Sequence, residues 1–300
     1  MLRLGLCCLF RAQPIKFRQT TAKALRAMPR DEQLRRLSSL CLHNVAAVRE
    51  ALHFLAGHGI GAYRIPSPLF PRATHPEIGY TIADLPESRR IRRICTEIRA
   101  FRKKNDIRLS LHPDQFNVLS SPREEVVANT IRELEYQGDL AELLDAEVIN
   151  LHAGGSYGDK EQALRRLEKN FHRLSAKVRG RLTLENDDSS FTPSDLLPVC
   201  RRLSLPFVYD VHHHRCLPDD LGTEQATDLC MVHWHALGRE PYFHLSSPKN
   251  GWQGGSPKPH ADYIDPADFP ACWRDVHATI DVEAKAKELA VLRLREDLGL

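Results

Sequence analysis

The sequence predicts an α/β chain that closes as a (β/α)8, or TIM, barrel, with residues 1–300 forming a single domain. Three observations predict it. Eight short apolar or β-rich runs recur along the chain, most are separated by segments of helical periodicity, and metal-capable side chains fall just past several of them. Alternating strand and helix gives a parallel sheet with right-handed crossovers, and eight such repeats is the number that closes into a barrel.

The strand-like runs are residues 3–8, 62–65, 108–111, 148–151, 181–184, 207–210, 242–245 and 279–282. The first opens on Met-Leu-Arg and faintly resembles a leader. Its apolar stretch is short and runs into Arg11 with no small-residue cleavage pattern, so it reads as strand one. A helix is predicted over 32–57, where Leu34, Leu37, Leu40, Val45, Val48 and Leu52 recur at spacings of three and four. Further helices are expected over 123–145, 161–177 and 284–298. Gly57 and Gly59 before the second strand and Gly180 before the fifth mark helix ends where the chain turns back. The proline-rich stretch of Pro66, Pro68, Pro71 and Pro76 and the glycine-rich stretch 250–259 read as long loops after strands two and seven, not as linkers between domains.

Composition narrows the function classes. Lys plus Arg number 42 against 39 for Asp plus Glu, a formal charge of +3, so any nucleic-acid contact must come from local basic patches. Fifteen histidines are a surplus that hints at metal chemistry. The eight cysteines form no Cys-x-x-Cys pair, which argues against a zinc ribbon or a disulfide framework and points to a reduced, cytoplasmic setting. No apolar run reaches the ~18 residues that span a bilayer.

Chemistry concentrates at strand ends. His112, His152, Glu185 and Glu283 directly follow predicted strands, Asp210 ends one, and His244 follows Tyr242-Phe243 near the end of another. One such residue is usually a helix cap or a surface group. Six in register converge at the mouth of a barrel, because parallel strands all finish on one face. Imidazole and carboxylate donors without cysteine suit zinc, manganese or iron in a catalytic rather than a structural site. In the string Asp210-Val211-His212-His213-His214 at least one histidine is expected only to solvate a loop. His75, in Thr-His-Pro, and His260, in Lys-Pro-His-Ala-Asp, are weaker candidates singly. Residues 154–158, Gly-Gly-Ser-Tyr-Gly, read equally as a phosphate-approaching turn and as a flexible one.

Five ordered strings carry a more specific resemblance: Leu-His-Pro-Asp-Gln-Phe (111–116), Leu-His-Ala-Gly-Gly-Ser-Tyr-Gly (151–158), Leu-Glu-Asn-Asp-Asp (184–188), Asp-Val-His-His-His (210–214) and Val-Glu-Ala-Lys-Ala-Lys-Glu (282–288). With Arg-Leu-Gly-Leu-Cys-Cys near the start and Tyr63-Arg64-Ile65, the chain resembles the UV damage endonuclease family from about residue 2 to about 290. That family is related to apurinic endonuclease IV. The resemblance implies a divalent-metal enzyme, typically using manganese, that nicks damaged double-stranded DNA immediately 5′ to UV photoproducts and leaves a 3′-hydroxyl and a 5′-phosphate. It implies metal ligands at His112, His152, Glu185, Asp210, His213, His244, His260 and Glu283, with Glu185 bridging. It further implies that His75 contacts the scissile phosphate and that Gln115 and Phe116 press into the duplex opposite a flipped dinucleotide. A monomer follows as the expected form, and Arg72, Lys249 and Lys258 in the mouth loops as DNA contacts. Arg89, Arg90, Arg92 and Arg93 read as a solvated helix face.

The chain departs from the pattern at three places. Phe116 stands where some members have Tyr, Leu6 where some have Tyr, and Tyr242 where some have a metal-bridging Lys. The metal count is therefore at least two, with a third left open. Competing expectations are an endonuclease IV-type enzyme, a metal-dependent sugar isomerase, and a damage-binding protein without turnover. The Gln115-Phe116 pair and the basic mouth loops speak against the isomerase, and eight intact ligand positions speak against mere binding.

Overall fold

The structure, a computed structural model, describes residues 2–300. Its strands are β1 (Arg3–Cys7), β2 (Ala62–Ile65), β3 (Arg108–Leu111), β4 (Val148–His152), β5 (Leu182–Glu185), β6 (Phe207–Asp210), β7 (Tyr242–Leu245) and β8 (Thr279–Val282). All pair in parallel in chain order, and β1 closes on β8, so the predicted TIM barrel is what the chain forms. Around it run α1 (Ala22–Arg26), α2 (Arg30–Gly57), α3 (Ser88–Lys104), α4 (Glu124–Leu144), α5 (Lys160–Phe171), α6 (Ala176–Arg179), α7 (Pro193–Leu203), α8 (Val211–Cys216), α9 (Thr223–Ala236) and α10 (Glu288–Leu298). No helix among the described residues is long and apolar enough to cross a membrane.

The period of two along each strand divides the chemistry. Leu4, Leu6, Tyr63, Ile65, Leu109, Leu111, Ile149, Leu184, Phe207, Tyr209, Phe243, Ile280 and Val282 belong to the apolar core shared with the helices. There Trp273 stacks on Phe243 at 4.7 Å between ring centroids, and the Trp234 indole donates to the Phe207 carbonyl at 2.6 Å. The intervening residues face the barrel axis, as bonds between non-adjacent strands demonstrate. Tyr242 on β7 bonds Ser110 on β3 at 3.0 Å, Arg108 on β3 donates to Thr279 on β8 at 2.8 Å, and Arg64 on β2 reaches His244 on β7 at 2.8 Å. The axis is thus packed with hydrogen-bonded polar groups in place of the branched apolar layers usual in such barrels. The groups at the mouth stand one inward position further along their strands: Ser110 lies below His112, Asn150 below His152, Thr183 below Glu185, Tyr242 below His244 and Asp281 below Glu283.

Two predicted helices differ from those found. The segment expected over 161–177 breaks into α5 and α6, because the Ser175 amide is drawn to the Glu135 carboxylate at 2.8 Å and the backbone turns between them. The last helix begins at Glu288 and not at 284. The amides of Lys285 and Ala286 bond back to Ala261 and Asp262, and Lys287 carries a left-handed φ of 57°. Buried Glu288 then accepts from the amides of Arg11, Ala12 and Gln13, tying the β1 loop to α10.

Candidate metal centre at the barrel mouth

Glu185 ends β5, fully buried, with four imidazoles around its carboxylate. His244 Nδ1 lies 2.9 Å and His213 Nδ1 3.4 Å from Oε1, while His112 Nε2 lies 3.1 Å and His152 Nε2 3.8 Å from Oε2. The Asn150 amide, one inward step down β4, also donates to Oε2. Burial works to raise the Glu185 pKa, but the imidazoles, His244 and His152 foremost, outweigh it and hold the carboxylate well below its usual range. Burial pushes the His152 ring down to about 4.

Asp210 is delivered by local structure as well as by its strand. It ends β6 and caps α8 at once, its Oδ1 accepting from the His213 amide at 2.8 Å. That cap folds His213 back over the carboxylates, with Nδ1 3.5 Å from Asp210 Oδ2. Asn186 fixes the tips of β5 and β6 by exchanging two bonds with the Asp210 backbone. Glu283 follows β8 and sits 3.4 Å from His244 Nδ1 and 3.7 Å from His260 Nδ1. Two donor sets gather within 4.8 Å: His112, His152 and Glu185, and Glu185, Asp210, His244 and Glu283.

The residues fit divalent ions on two observations. Asp210 Oδ2 is buried and has no hydrogen-bond partner, a cost of about 1–3 kcal/mol that a cation would remove. His112 Nδ1 lies 3.1 Å from the Pro113 carbonyl and His213 Nδ1 3.0 Å from the Asn186 carbonyl. A carbonyl only accepts, so both Nδ1 atoms carry a proton, and Nε2 is the atom each ring has left for a metal. His112 Nε2 faces a Glu185 oxygen at 3.1 Å, a pair that a proton or a shared metal ion joins.

The predicted residues separate into three groups. His112, His152, Glu185, Asp210, His244 and Glu283 come together, and His213 and His260 stand at the same mouth outside the two tight sets. Gln115 and Phe116 lie on the β3 loop, where an Asp114 turn presents them outward, and Phe116 is 77% exposed. His75 bonds within its own loop, its Nδ1 accepting from the Glu77 and Ile78 amides. It lines a cavity of about 600 Å³ that runs from Arg132 and Tyr136 to Asn117, beside the Phe116 loop.

The triple histidine string departs from expectation, since neither flanking ring solvates a loop. His212 is buried against Trp252 and His260, and His214 is buried between Tyr209 and Asp219. Helical spacing sends three successive side chains to three different surroundings. Gly154 also has a structural reason: its φ is +90° and a Cβ there would lie 2.7 Å from Ser120 Oγ and Val118 Cγ1. Arg89, Arg90, Arg92 and Arg93 are exposed on α3 as expected. Arg64, Asn150 and Asp281 escaped the sequence reading, although a charged or polar residue inside a short apolar strand was a signal for each.

A parallel eight-stranded barrel with a cluster of imidazoles and carboxylates at the carboxyl ends of its strands belongs to the class of barrel enzymes with a candidate metal centre at the mouth. Similarity to known proteins narrows the class. The chain belongs to the UV-endonuclease UvdE family, whose family model matches residues 2–300, and it is accordingly a DNA repair endonuclease. It is 35% identical over 302 residues to the UV DNA damage endonuclease of Bacillus velezensis, covering 97% of this chain and 91% of that one. The crystal structure of SacUVDE superposes with a TM-score of 0.86 at 29% identity, covering 100% of this chain and 99% of the other. Endonuclease IV from Thermus thermophilus shares the fold, with a TM-score of 0.63 at 17% identity over 99% and 98% of the two chains.

Proposed function

We propose that this endonuclease, acting as a single-domain monomer, cuts duplex DNA immediately 5′ to UV photoproducts, using divalent metal ions with manganese the favoured ion, and leaves a 3′-hydroxyl and a 5′-phosphate. The observation that carries the reading is Glu185, buried and ringed by four imidazoles, beside the unpartnered Asp210 oxygen. His112, His152 and Glu185 would hold one ion and Glu185, Asp210, His244 and Glu283 another, with His213 and His260 available to a third. Ions bound there would make a water acidic enough to attack near neutral pH and would neutralise charge on the phosphate.

The chain's own groups do the rest. Buried Asn150 and the capped Asp210 fix the donors before DNA arrives, so the mouth needs little reorganisation on binding. Phe116 offers an exposed aromatic face and Gln115 a hydrogen-bonding edge to the gap left by extruded bases. Damaged pyrimidines stack poorly and cost less to extrude than normal ones, which is the proposed source of selectivity. Lys258, whose ammonium reaches Ser189 at 2.6 Å, together with Arg72 and Lys249, would grip the backbone, and His75 would approach the scissile phosphate.

The test is incubation of purified protein and manganese with duplexes carrying a cyclobutane dimer, a 6-4 photoproduct, an abasic site or no lesion. Nicking 5′ to the photoproducts is expected. Nicking at the abasic site alone would favour an endonuclease IV-type activity, and binding without nicking a damage-binding protein. Glu185→Gln is expected to abolish cutting, and full activity in that variant would overturn the metal reading.

A further inference from the structure

His112 and His213 turn their Nδ1 atoms to backbone carbonyls, the arrangement of a ring ready to ligate through Nε2. His244 is set the opposite way. Its Nε2 lies 2.8 Å from Arg64 Nη2, and a guanidinium only donates, so Nε2 accepts and the ring proton sits on Nδ1, directed at Glu185 Oε1. Yet Nδ1 is the atom that faces Asp210 and Glu283 in the second donor set.

The same guanidinium donates from Nε to Asp281 Oδ2 at 2.9 Å and from Nη1 to Glu283 Oε1 at 2.6 Å. All of its partners lie inside the barrel, and Arg64 itself is 8% exposed. Its place is well fixed. The Tyr242 hydroxyl donates to Asp281 Oδ1 at 2.9 Å, which leaves Ser110 to donate to Tyr242 at 3.0 Å. Asp281 can fit there only because residue 5 is glycine, since a Cβ on Gly5 would lie 2.2 Å from Asp281 Oδ1.

We infer that Arg64 is a resident cation of the mouth, a positioning residue that holds Glu283 and the Nδ1–H form of His244 when no metal is bound and competes with an ion for that donor set. This rests on the reading that the mouth binds divalent metal. Loading the second set through His244 Nδ1 moves the ring proton to Nε2, where it meets a donor, so the Arg64 to His244 bond must break. Arg64 therefore stabilises the metal-free barrel and weakens metal binding at this set. Removing it leaves the donor carboxylates without their nearest cation, and the attraction for an incoming dication rises.

The test is calorimetric titration of manganese into the full chain and into Arg64→Met and Arg64→Lys, with thermal melts of each protein with and without the ion. For Arg64→Met the weaker-binding step is expected to tighten at least about tenfold, the equivalent of ~1.4 kcal/mol per decade. Its melting point should drop in the metal-free state and recover most of that loss in the loaded state. Arg64→Lys keeps a charge but not the fork that reaches three partners, and should tighten binding by a smaller factor. It carries the comparison if Arg64→Met does not fold without metal. Equal or weaker manganese binding in the folded variants, or melting points lowered equally with and without the ion, would overturn the inference while leaving the metal centre standing. Absence of manganese binding in the unsubstituted protein would instead overturn the metal reading, and this inference with it.

Discussion

Asp219 and His214 are joined at 2.9 Å, a bond that ties the loop after α8 back to that helix, next to His213. His214 and His213 are neighbours on α8. The Asp219 carboxylate, which also accepts from the amides of Ser194 and Leu221, anchors that helix to the start of α7.

Asp219 is expected to contribute to the loss of stability in acid. Partial burial works to raise its pKa, but the Ser194 and Leu221 amides and His214 outweigh it and bring it to about 2, from an ordinary 3.8. An acid whose folded pKa is depressed contributes stability that is complete above its unfolded pKa and is lost as pH falls through the folded one. Urea midpoints followed from pH 5 to pH 2 should fall between about 3.8 and about 2, and Asp219→Asn should flatten that part of the curve. An unchanged slope would show that the carboxylate does not matter.

Gly5→Ala should destabilise the barrel. The added methyl would overlap the buried Asp281 carboxylate, and a forced shift of that kind in a packed interior costs about 1–3 kcal/mol. Chemical denaturation reads this directly, and a variant as stable as the parent would show that Asp281 has room to move.

Phe116→Ala should leave stability within about 0.5 kcal/mol, because the ring is mostly in solvent. The same change should weaken binding to a photoproduct duplex by ~1–3 kcal/mol if the ring stacks on a base, while binding to undamaged duplex changes little. Fluorescence anisotropy on the two duplexes separates these outcomes, and an equal loss on both would count against a wedge.

Manganese at about a hundredfold excess over its dissociation constant should add ~2.7 kcal/mol to stability, a rise of several degrees in the melting point that a chelator reverses. Asp210→Asn should remove most of that rise while keeping the side-chain oxygen that caps α8. A melting point indifferent to the ion would speak against the centre.

Much of the fold was legible from local pattern. Five of the eight strands, such as Phe207–Asp210 and Thr279–Val282, lie where alternation and composition predicted them, and the others shift by a residue. The break near Ser175 was not legible, because it depends on Glu135, 40 positions away in the chain. Nor was the separation of His212, His213 and His214 into three environments, because a string of identical residues carries no sign of which face of α8 meets the mouth.

The sequence by itself determined the barrel and the height at which its chemistry stands. Period-two alternation places Glu185, His244 and Glu283 on the inner face of their strands, and parallel pairing brings their ends to one rim. Only the tertiary structure decided what those groups meet. Arg64 reaches His244 from 180 residues away and Tyr242 meets Ser110 from 132, across strands that are not neighbours in the sheet. Closure of the barrel makes each of those pairs, and no local spacing in the chain encodes them.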